Sequence, residues 1–93
     1  MRKVLLIEDD ALLCWLLEKI LKNQYEVAIM NDGMEAWSWL AQGNVPDLIV
    51  SDLKMPGLGG IELLENINGS EAHKNIPLII HSGYEDAIKR KQC

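Results

Sequence analysis

Val4-Leu5-Leu6-Ile7-Glu8-Asp9-Asp10 is an unbroken aliphatic run closed by three acids. Such a run reads as a central strand of a parallel sheet, buried on both faces. Downstream, between residues 10 and 23, Leu13, Leu16, Leu17, Ile20 and Leu21 recur at three- and four-residue intervals, the apolar stripe of an amphipathic helix. Lys19 and Lys22 fall in its last turns, where cations complement the helix dipole. Leu12, Cys14 and Trp15 widen the stripe beyond one packed face, so cover on more than one side is expected.

Residues 25–30 read as a second strand. Asp32-Gly33-Met34-Glu35 has the spacing of a capping box ahead of Ala36, Trp37 and Leu40, which predicts a second helix ending at Gly43. Trp39, two positions from Trp37, points away from it on the second helix and, with Trp37 facing the core, is expected to be at least partly exposed as an incidental surface aromatic. Residues 46–51 resemble a third buried strand, and residues 52–60, with one Pro and three Gly, a loop. Ile61, Leu63, Leu64 and Ile67 mark a third helix that Asn68-Gly69-Ser70 stops, and residues 76–81 a fourth strand. Ser82-Gly83-Tyr84-Glu85 repeats the capping spacing and predicts a fourth helix. Alternating strands and helices predict a doubly wound α/β domain with a parallel sheet and right-handed crossovers.

A chain of 93 residues accommodates one domain and excludes a two-domain enzyme. Its formal net charge of −5 argues against non-specific attraction to nucleic acid or anionic lipid. No apolar run is long enough to cross a bilayer or has the features of a signal peptide, so a cytoplasmic location is expected. Cys14 and Cys93 make neither a disulfide framework nor a metal quartet, and both are expected to be reduced.

In doubly wound sheets the binding crevice lies beyond the carboxyl ends of the strands. Glu8 and Asp9 follow the first strand, Asp52 the third and Ser82 the fourth, so one sheet edge collects three carboxylates and a hydroxyl. Gathered carboxylates repel unless a cation or protons offset their charge, and a hard divalent ion such as Mg²⁺ is the natural partner. Each residue also has a plainer role: Asp9 or Asp10 as a helix cap, Asp52 as a turn aspartate, Ser82 as a cap. His73 and His81 read as a loop residue and a strand residue. Coincidence at three strand ends favours a site.

These residues resemble the receiver domain of two-component response regulators. Residues 4–10 resemble its first strand and acidic pair; residues 51–64, with Lys54, Met55, Pro56, Gly57 and Gly60, are similar to the segment around its phosphorylated aspartate; residues 76–83 are similar to its fourth strand with the switch hydroxyl. The resemblance implies a flavodoxin-like (CheY-like) fold with strand order 2-1-3-4. It implies that Asp52 accepts a phosphoryl group from a sensor histidine kinase or a histidine phosphotransfer protein. It further implies that Asp9, Asp52 and the Lys54 backbone carbonyl hold Mg²⁺, that Glu8 reaches the ion through water, and that Ser82 hydrogen-bonds the phosphoryl group.

The family's fifth strand, its lysine, an aromatic switch residue and a fifth helix have no counterpart, and Lys89, Arg90 and Lys91 read as a solvated helix end. A receiver incomplete at its C-terminus is therefore expected, with the fourth strand as an exposed edge and self-association through that edge or through exchange of elements. Two other readings stand beside a phosphoacceptor: a degenerate receiver serving as a dimerisation module, and a piece of a longer regulator. A haloacid-type hydrolase is disfavoured because Lys54 replaces the second acid of an Asp-x-Asp pattern, and Gly57, Gly59 and Gly60 match no nucleotide-binding pattern.

Overall fold

The computed structural model describes residues 2–52 and 60–81. Its elements alternate: β1 (Arg2–Ile7), α1 (Ala11–Leu21), β2 (Tyr25–Met30), α2 (Gly33–Ala41), β3 (Leu48–Asp52), α3 (Gly60–Asn68) and β4 (Leu78–His81). The four strands form one sheet in the order β2-β1-β3-β4, every pairing parallel. The expected class and strand order are therefore observed. The fourth helix predicted at Ser82, the loop at residues 53–59 and the lysines near the C-terminus lie outside the described residues.

Alternation along the strands divides the core between two faces. Leu5, Ile7 and Ile49 face α2 and α3, where they meet Ala36, Leu40, Leu63 and Ile67. Val4, Leu6 and Val50 face α1 and pack against Cys14, Leu17 and Leu21. Because β1 is central and covered on both sides, every residue from Val4 to Ile7 is fully buried. Sequence periodicity misplaced part of α1: Leu16 and Ile20 are exposed, together with Leu12 and Trp15, whereas Cys14 turns toward the sheet. A helix apolar nearly all round leaves its packing face undetermined until the sheet is in place.

The helix ends follow local chemistry. Asp10 Oδ1 accepts the Leu13 N–H at 3.0 Å and caps α1, and Asp32 Oδ1 accepts the Glu35 N–H at 2.7 Å and caps α2. Past α2, Gly43 takes φ 103°, the left-handed conformation in which glycine is favoured, and donates to the Leu40 carbonyl. Trp39 is partly exposed, as expected, and like Trp37 rests its buried part against the Ala36–Leu40 side of the core. The two indoles flank the buried stripe on either side.

At the opposite end of the strands from the carboxylates, His73 lies in the turn before β4, a loop position as expected, and is buried there. Its Nε2 lies 3.0 Å from the Asn44 carbonyl, so that nitrogen carries the proton and donates; Nδ1, 2.8 Å from Ser70 Oγ, then accepts from the hydroxyl. Trp37 meets the imidazole edge-on at 6.2 Å. The ring thus ties the segment before β3 to the turn before β4.

Candidate functional site

The site begins with register. Ile7 pairs with Ser51, so the next residues, Glu8 and Asp52, leave adjacent strands side by side at their carboxyl ends. The Glu8 N–H donates to the Met30 carbonyl at 3.0 Å, anchoring this point of the chain to β2 as well. Asp9 follows in the short link to α1. As a result, Glu8, Asp9 and Asp52 each offer a carboxylate oxygen within 4.8 Å of the others.

Their environments differ. Glu8 is 1% exposed, Asp52 half-buried and Asp9 exposed, so the cluster opens to solvent on one side and rests on the sheet end on the other. Burial pushes the Glu8 carboxyl up to about 7, against the hydrogen bond from the Asp10 N–H, which favours the charged form; the neighbouring Asp52 and Asp9 push it further upward. Two full negative charges about 5 Å apart repel by roughly 3 kcal/mol at an effective dielectric constant of about 20. Three oxygen ligands in so small a space therefore suit a hard divalent cation, which requires few protein carboxylates and retains water.

The sequence-predicted residues divide cleanly. Glu8, Asp9 and Asp52 converge, while Lys54 and Ser82 lie outside the described residues. The two roles open to Asp9 and Asp10 are also separated: Asp10 caps α1, and Asp9 turns to the cluster. Sequence reasoning missed that the Asp10 backbone N–H donates to Glu8 Oε2 at 3.1 Å. Three successive acids carry no signal that one orients another.

The family model for the response regulator receiver domain matches residues 4–93. The CAI-1 autoinducer sensor kinase/phosphatase CqsS of Vibrio cholerae is 36% identical over 84 residues, which are 88% of this chain and 12% of that protein. The chain spans 10–19% of the length of the first curated relatives it matches. Among solved structures, the phosphorylated cyanobacterial phytochrome response regulator RcpA aligns with a TM-score of 0.82 and 33% identity, over 98% of this chain and 73% of that one. The Mn²⁺-bound form of the response regulator Rcp1 aligns with a TM-score of 0.80 and 28% identity, over 99% of this chain and 75% of that one.

Proposed function

The chain belongs to the response regulator receiver domain family of two-component signalling, and from this we propose that Asp52 is its phosphoacceptor, working with Mg²⁺ and a phosphohistidine donor. The observation that carries the proposal is the convergence of Glu8, Asp9 and Asp52. Asp9, Asp52 and the Lys54 backbone carbonyl would hold the ion, with Glu8 reaching it through water. When bound, Mg²⁺ supplies the positive charge that phosphoryl transfer between anionic groups requires.

Asp52 provides the nucleophile. One of its carboxylate oxygens forms a bond to phosphorus as the donor's N–P bond breaks, and the departing imidazole nitrogen keeps the electron pair and takes a proton from solvent. The adjacent sheet end and buried Glu8 restrict water on one side of Asp52. Ser82 would donate its hydroxyl to a phosphoryl oxygen. The donor is a sensor histidine kinase or histidine phosphotransfer protein, and catalysis extends no further than the domain's own phosphorylation and dephosphorylation. We place the domain in the cytoplasm; among the described residues no helix is long and apolar enough to cross a membrane, and Cys14 is a free thiol.

Intact mass after incubation with acetyl phosphate and Mg²⁺ tests this. One phosphoryl group is expected on the wild type, none on Asp52→Ala, and none on either when EDTA replaces Mg²⁺. Equal uptake by wild type and Asp52→Ala would refute the assignment of Asp52. No uptake by the wild type would favour the degenerate module.

A further inference from the structure

Between the end of β1 and the start of α1 the chain makes a short link, Glu8-Asp9-Asp10, of which two members belong to the carboxylate cluster. The outer ends of this link are tied down. The Glu8 N–H is bonded to the Met30 carbonyl, and Asp10 is bonded to α1 twice, through Oδ1 to the Leu13 N–H at 3.0 Å and through its carbonyl to the Cys14 N–H at 2.9 Å. The Asp10 N–H reaches back to Glu8 Oε2 at 3.1 Å. Asp10 therefore holds the Glu8 carboxylate by its own backbone while its side chain fixes that backbone to the first turn of α1.

We propose that Asp10 is a positioning residue for the cation site: through the cap on α1 it sets where the Glu8 and Asp9 carboxylates stand, and so sets cation affinity without coordinating the ion. The inference rests on the assignment of Glu8, Asp9 and Asp52 as the cation site. Without the Oδ1 bond, the first turn of α1 loses a cap and the Asp10 N–H loses its fixed direction toward Glu8. The cation must then order the link as it binds, and affinity falls by the cost of that ordering.

The test is calorimetric titration of Mg²⁺ into wild type, Asp10→Ala and Asp10→Asn at one pH and two salt concentrations, with far-ultraviolet circular dichroism to establish that each variant is folded. Asparagine caps helices as well as aspartate does but carries no charge. Asp10→Ala is expected to raise the Mg²⁺ Kd by about three- to tenfold, the range that losing one cap implies, and Asp10→Asn to stay within about twofold of wild type. Rescue by asparagine is the result that a purely electrostatic role would not give. Equal Kd values for alanine and wild type, or equal weakening by alanine and asparagine that shrinks at high salt, would overturn the proposal. A wild-type chain that binds no Mg²⁺ would remove the site itself, and with it the role of Asp10.

Discussion

Glu8 concentrates the chemistry of the site in one side chain. Its carboxyl is displaced from an ordinary value of 4.5 to about 7, chiefly by burial. Between those values the folded chain binds more protons than the unfolded chain, so metal-free stability is fully present below pH 4.5 and declines as pH rises through 7. The loss amounts to about 3 kcal/mol at most. Urea unfolding in EDTA should show this decline, and Glu8→Gln, which cannot ionise, should flatten it; an unchanged slope in that variant would contradict the assignment. Mg²⁺ binding has the opposite dependence, because it needs the carboxylate, and should weaken as pH falls below 7. At this scale the sequence was informative about residue type and poor about environment. The order Glu8-Asp9-Asp10 announces a cluster at a strand end, but which acid is buried, which caps and which faces solvent depends on the β1–β3 register and the direction of α1.

Elements were legible where one physical signal dominated. The run from Val4 to Ile7 is buried on both faces, and Asp32 and Gly43 bracket α2 as cap and left-handed exit. They were poorly legible where signals conflicted, as in α1, whose apolar residues exceed one face, so that Cys14 rather than Leu16 meets the sheet. His73 gave no signal, because its partners are a hydroxyl three residues back and a carbonyl on a distant segment. That clasp should matter for stability alone. His73→Ala removes a buried ring and strands the Asn44 carbonyl and Ser70 hydroxyl, at a cost of about 2 to 4 kcal/mol. Urea denaturation should register the loss while the Mg²⁺ Kd of the folded variant stays at the wild-type value, since the clasp lies at the other end of the strands. A parallel loss of cation affinity would show that the two ends are coupled.

Over the whole molecule, one sheet divides the work: α2 and α3 close one face, α1 closes part of the other, and the carboxyl ends of β1 and β3 carry the acids. Among the described strands β4 is an edge, its Ile79 is 53% exposed, and Leu12 and Ile20 of α1 are each 67% exposed. Exposed apolar side chains and a strand at a sheet edge each favour association, and sedimentation velocity across micromolar concentrations is expected to show a concentration-dependent species larger than the monomer. A single monomeric boundary throughout would exclude it. Three carboxylates from two strand ends meet at one point in space, where a shared cation is expected. Anomalous diffraction from crystals grown with Mn²⁺ tests it most directly: one strong peak is expected at coordinating distance from the Asp9 and Asp52 carboxylates and beside Glu8. A peak elsewhere, or none in that cluster at saturating Mn²⁺, would rule out a shared cation at Glu8, Asp9 and Asp52.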